Sequence, residues 1–154
     1  MKNAILAIII VAMVTIGIVI ARNRPSADQE AIDYRQALMT VIDGQMAPLL
    51  LMQQGQAPFN AALLRAHAGH LAVLAGMIPE AFARNTSTNR KLESAALPYV
   101  WSDQADFLRG VQRFQASAEA LRRTADSGEQ SALRQAIGAV NAQCDQCHRS
   151  FRSG

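Results

Sequence analysis

Beyond residue 25, apolar residues recur at steps of three and four. From Ser26 onward Ile32, Met39, Ile42, Met46 and Leu49 advance by seven, three, four and three, the period of a helix with one buried face. Ser26 with Gln29 three residues on is a capping-box start for this first helix. Arg35 falls on the same stripe, and a charge on a core-facing stripe demands a partner. The run "QQGQAPFN", with Gly55, Pro58 and the cap residue Asn60, ends the pattern. A second helix carries Leu64, His67, Leu71, Leu74 and Ile78 and runs out near Phe82. "RNTSTNRKLESAALP" is polar, aperiodic and closed by Pro98, so it reads as a long loop. A third helix carries Phe107, Val111, Phe114, Ala118 and Leu121 on one face, and "TADSGEQ" makes the next turn, with Ser127 and Gln130 as a second capping box. The fourth helix has Leu133, Ile137, Val140, Cys144, Cys147 and Phe151 in line. No stretch alternates with period two. The prediction is therefore all-α: an antiparallel four-helix bundle of up-down-up-down topology.

Ahead of the bundle stands "AILAIIIVAMVTIGIVIA", Ala4 to Ala21, eighteen residues without a charge. This hydrophobic helix is long enough to span a bilayer and longer than the usual signal-peptide core. Its one small-residue exit, Val19-Ile20-Ala21, is a poor cleavage site, so an uncleaved anchor is preferred to a removed signal. Residues 1–24 thus form a signal peptide or membrane anchor, and residues 25–154 a single domain. The net charge of +3 belongs to the anchor's flanks, Lys2, Arg22 and Arg24; the remaining twelve Lys and Arg meet twelve Asp and Glu. No basic stripe is left over, so nucleic acid is not an expected partner.

The chain closes on "QCDQCHRSFRSG", which holds both of its cysteines. Cys144-x-x-Cys147-His148 is the attachment signature of c-type haem. Two thiols add across the haem vinyl groups, and the adjacent imidazole takes the iron from the same side. On a helix, positions three and four apart share a face, so all three side chains reach one macrocycle. A zinc site would have to recruit His67 and His70 at an unfamiliar spacing. A redox-active or structural disulfide is the other use of the pair, but the thioredoxin-like pattern expects a preceding strand. One covalently attached haem c is the favoured reading. Because haem ligation in bacteria occurs outside the inner membrane, it places the domain in the periplasm, tethered by residues 4–21 if the anchor is retained.

The sequence resembles class II cytochromes c, specifically the cytochrome c′ family, from Ala27 to Gly154. The resemblance rests on the C-terminal "CDQCHRSFR" and on "YRQALM", "GQAPF", "IPEAF" and "ALPYVWSDQADF". It implies that Arg35 and Gln36 hold a haem propionate, that Met39 lies over the distal side of the iron, that Phe82 packs at the distal face, and that Arg152, four residues after His148, is a basic group near the proximal side. It offers no haem-edge contact from the loop before Trp101 beyond weak candidates at Glu93 and Ser94. It also implies a homodimer through the first two helices, where Leu50, Leu51 and Met52 widen the apolar stripe. His67 and His70 lie about 22 and 18 Å from the level of Phe82 along their helix, too far to ligate the same iron.

Two functions follow from that family. In the preferred one, a pentacoordinate haem with an apolar distal side binds small diatomic gases, nitric oxide or carbon monoxide, and transfers electrons to a redox partner. In the alternative, the Met39 sulfur is the sixth iron ligand of a low-spin electron carrier. No acid–base pair accompanies the haem motif, so an enzyme is not expected.

Overall fold

The computed structural model describes residue 13 and residues 24–89 and 91–153. The anchor expected over 4–21 lies, residue 13 apart, outside the described residues. Among the described residues five helices run in order: α1 Ala27–Gln53, α2 Ala61–Ala81, the short α3 Tyr99–Ser102, α4 Gln104–Ser127 and α5 Gln130–Phe151. No strand occurs among the described residues. The four long helices form a cycle in which α1 and α4 each pack against both α2 and α5. This is the antiparallel bundle expected from the periodicity.

Helix ends follow their caps, with two corrections. Ser26 Oγ accepts from the Gln29 amide at 3.1 Å, as the capping box requires, but the Gln29 side chain donates forward to Asp33 Oδ1 at 2.7 Å instead of back to Ser26. Asn60 Oδ1 caps α2 by accepting from the Leu63 amide at 3.0 Å. Ser127 does not begin the last helix: it is the final residue of α4, and its hydroxyl donates to the Thr124 carbonyl at 2.7 Å. Gly128 stops α4 at φ 71°, a left-handed position open to glycine without strain. Glu129 then caps α5, its carboxylate accepting from the Ser131 and Ala132 amides at 3.0 and 2.9 Å.

The core is the inner face of the bundle. On α4 the expected Phe107, Val111, Phe114, Ala118 and Leu121 are all buried. On α2 the buried stripe is Leu64, Ala68, Leu71, Ala75 and Ile78, with two alanines in place of the expected His67 and Leu74. Fully buried methyl groups at Ala68 and Ala75 leave room for a neighbouring backbone. Pro79 has no N–H for the Ala75 carbonyl, and Gln115 Nε2 of α4 donates to that oxygen at 3.1 Å instead. At the other end of the bundle Arg134 Nη1 donates to the Met52 and Gln53 carbonyls, with its guanidinium 4.8 Å from the Phe59 ring. That bond set closes the C-terminus of α1 onto α5.

The long loop is anchored at both ends. Asp28 on the first turn of α1 accepts from Arg84 Nε at 2.6 Å and Asn89 Nδ2 at 2.9 Å. Farther on, the Leu97 amide donates to Phe151 O at 2.9 Å and the Ser153 amide to Ala95 O at 2.8 Å, pairing the loop with the chain end. The end of α5, which carries the Cys-Cys-His run, is thereby fixed to α3 through the loop.

Candidate functional site

Cys144 and Cys147 are half-buried free thiols packed against the core, and His148 is exposed on the same helix. Burial, then the neighbouring Asp145, pushes the Cys144 thiol up to about 11. Burial likewise raises Cys147, partly offset by the charge of Arg113 on α4. Both sulfurs are therefore neutral near pH 7, whereas the thiolate is the form that attacks disulfides and binds zinc. Among the described residues no group of three or more His, Cys, Asp or Glu is gathered to hold a metal. His67 and His70 cannot complete a zinc site with the thiols. Their Nδ1 atoms lie 2.8 and 3.0 Å from Gln45 Oε1, on the α1–α2 side of the bundle.

Partial burial and the charge of Arg152 lower the pKa of His148, against the smaller opposing pull of Asp145 and Asp43. A neutral imidazole is the form that ligates iron. The charge of Asp43 on α1 acts on both Cys144 and His148, and that of Arg113 on α4 acts on Cys147. Arg152 lies beyond α5, which ends at Phe151; it continues in extended backbone (φ −124°, ψ 136°) and is exposed, so it does not share a helical face with His148.

Across the bundle, Met39 is half-buried against the core while Leu38 takes the deep position, 4 % exposed. The α1 stripe thus turns by one residue at this level, and Met39 sits at its edge. Phe82 is the C-cap of α2; its ring lies 5.0 Å from that of Phe107, which in turn stands edge-on to Phe151 at 5.4 Å. These three rings connect the distal wall expected at Phe82 to the end of α5.

Arg35 finds its partners here, and none is a carboxylate. It is 4 % exposed, with Nη2 donating to Thr86 Oγ1 at 2.8 Å and the guanidinium 5.1 Å from both the Phe82 and the Trp101 rings. Nη1 is buried without an acceptor among the described residues. Burial pushes its pKa down. A buried cation with one orphaned donor is strongly unfavourable unless an anion completes it, and a haem carboxylate is such a group. Half-buried thiols three residues apart, a neutral imidazole beside them and an orphaned guanidinium donor at the same end of the bundle fit a covalently bound haem. Gln36 stays out of this cage: it is exposed and lines an open polar cleft of about 460 Å³ with Gln29, Lys91, Leu92 and Glu93. The contacts that sequence reasoning missed are Thr86, a buried threonine in a polar loop, and Trp101, whose Nε1 donates to the Phe82 carbonyl at 2.9 Å. The "YVW" run before α4 was the only signal for the second.

A family model described as Cytochrome C′ matches residues 30–152. Cytochrome c′ from Alcaligenes xylosoxydans xylosoxydans is 33 % identical over 124 residues, 80 % of this chain and 94 % of that protein. Among solved structures, cytochrome c prime from Shewanella frigidimarina superposes with a TM-score of 0.77 at 29 % identity, covering 85 % of this chain and 100 % of that one. A nitric oxide complex of a mutant of cytochrome c prime from Alcaligenes xylosoxidans gives 0.74 at 30 % identity, over 85 % and 99 %. The chain therefore belongs to the cytochrome c′ family of c-type cytochromes, whose members carry a covalently attached haem c.

Proposed function

We propose that this cytochrome is a periplasmic protein whose pentacoordinate haem binds nitric oxide or carbon monoxide and transfers electrons, and that it is not an enzyme. The observation that carries the reading is the bracing of Phe82. Its ring packs on Phe107, the Arg35 guanidinium lies over it, and its carbonyl is tied to Trp101. A wall held on three sides in a close-packed core resists the shift that would bring the Met39 sulfur onto iron. When bound, the haem supplies the iron that takes the diatomic ligand and the electron. Cys144 and Cys147 would hold it covalently, His148 would ligate its iron, and Arg35 would bind a propionate. Met39, Phe82 and Phe107 exclude water, for an apolar lining offers no hydrogen bond to water or hydroxide.

Residues 4–21 tether the domain to the inner membrane, and two copies associate through α1 and α2. Of the residues first expected at a homodimer face, Met52 is 2 % exposed in the chain's own core and Leu50 is packed against it, while Leu51 is exposed. The support is the outer surface of these helices, where Val73 is 69 % and Val41 47 % exposed, joined by Leu51, Leu63 and Tyr34.

The deciding experiment is the absorption spectrum of the reduced protein. The expected spectrum has a broad high-spin Soret band, carbon monoxide binds readily, and Met39→Ala mainly speeds ligand entry. A sharp low-spin ferrous spectrum that becomes high-spin in Met39→Ala would overturn the reading and make Met39 the sixth ligand.

A further inference from the structure

The cage around Arg35 is more elaborate than burial of a side chain requires. The guanidinium lies over two aromatic rings, Phe82 and Trp101, each ring centre 5.1 Å away. One edge is held by the hydroxyl of Thr86, itself 4 % exposed. Thr86 is in turn held in place, because Asp28 grips Arg84 and Asn89 on either side of it, and the Asn89 amide donates to the Thr86 carbonyl at 3.2 Å. Trp101 is fixed by its bond to the Phe82 carbonyl. Three elements besides α1 therefore converge on one cation and leave its Nη1 buried with no acceptor among the described residues.

Among the described residues no Asp or Glu forms an ion pair with Arg35. The charged groups near it on the surrounding elements are Asp28 and Arg84, paired with each other at 2.6 Å, Glu30 and Asp33 on α1, Glu80 on α2, and Lys91 and Glu93 farther along the loop, these last five all exposed. A guanidinium so clamped keeps Nη1 in one direction, at no further cost in side-chain ordering when an anion arrives.

We infer that Thr86 and Trp101 are positioning residues that aim Arg35 Nη1 at a haem carboxylate and, through that contact, set the reduction potential. The inference rests on the reading that Arg35 binds a propionate. A cation fixed against that carboxylate disfavours the extra positive charge of ferric iron, so loosening the clamp lowers the potential. It also raises the pKa of the carboxylate, which loses the cation that favours its ionised form.

The test uses the full-length haem-loaded protein. Thr86→Val removes the hydroxyl at nearly constant shape, Trp101→Phe removes the indole N–H while keeping a ring, Thr86→Ser restores the hydroxyl, and Arg35→Leu removes the cation. Potentials are measured by spectroelectrochemical titration across pH, alongside helix content by circular dichroism. With helix content unchanged, Thr86→Val and Trp101→Phe should each shift the ferric-to-ferrous ratio at fixed poise about threefold toward ferric, roughly 28 mV at 59 mV per tenfold change. The break in potential against pH should move upward, and Thr86→Ser should return both readings to wild type. If Arg35→Leu moves the potential and the break while Thr86→Val and Trp101→Phe leave both unchanged, the positioning role is refuted and the propionate contact stands. If Arg35→Leu moves neither, the propionate contact itself is refuted and the inference falls with it.

Discussion

Replacing Phe107 with leucine isolates the aromatic relay between the distal wall and the haem-bearing helix. Phe107 is 3 % exposed and touches two rings, Phe82 at 5.0 Å and Phe151 at 5.4 Å, the latter edge-on. Leucine keeps most of the apolar contact, and a swap of that kind usually costs under ~1.5 kcal/mol. Each aromatic pair adds about 0.5–1.5 kcal/mol beyond area burial, so losing both pairs adds roughly 1–3 kcal/mol. Phe114 provides the control: it is buried on the same helix at 6 % exposure, and none of the aromatic pairs among the described residues includes it. Phe114→Leu should show the repacking cost alone. Guanidinium unfolding followed by circular dichroism measures both, with an unchanged m-value required for comparison. Double-mutant cycles of Phe107→Leu with Phe82→Leu and with Phe151→Leu then extract the couplings, expected at about 0.5–1.5 kcal/mol each. Coupling energies indistinguishable from zero in both cycles, or equal costs for Phe107→Leu and Phe114→Leu, would refute a stabilising relay and leave only shared burial.

Three further outcomes are expected. Acid–acetone extraction should leave colour on the wild-type chain, and Cys144→Ala or Cys147→Ala should weaken or abolish that retention; complete extraction from the wild type would count against attachment at these thiols. Val73→Glu, on the outer face of α2, should convert a dimer to monomers in sedimentation velocity while leaving helix content intact, and a wild-type monomer at micromolar concentration would remove the dimer. Hydrogen bonds from Asn89 and Arg84 hold the Asp28 carboxyl below its ordinary 3.8. Its contribution is thus fully present above that value and lost as pH falls through the lower folded pKa. Asp28→Asn should flatten the fall in stability below about pH 4, and an acid limb of the wild-type slope in the variant would contradict that role.

Legibility from sequence differed by element. The α4 face was read without error because five apolar residues at helical spacing admit one buried side. On α2 apolar spacing points to His67 and Leu74, since it favours large residues and gives no weight to Ala68 and Ala75, which the fold buries. Ser127 was misassigned because a capping box reads the same whether the serine starts one helix or ends another; only Gly128 at φ 71° decides.

The chain's own order of residues determined the four amphipathic segments, the breaks at Gly55 and Pro98, and the haem-attachment run. Each of these depends on neighbours within about a turn of helix, where spacing alone sets which side chains share a face. What Arg35 does was not determined at that level. Its stripe position asked for a partner, but Thr86 is 51 residues away, Trp101 lies beyond a long loop, and Nη1 is left buried without an acceptor among the described residues where Phe82 and Trp101 pack near the guanidinium. Contacts across such separations depend on how the helices rotate and how the loop is pinned, and burial makes an unpaired charge informative only once the core has closed around it.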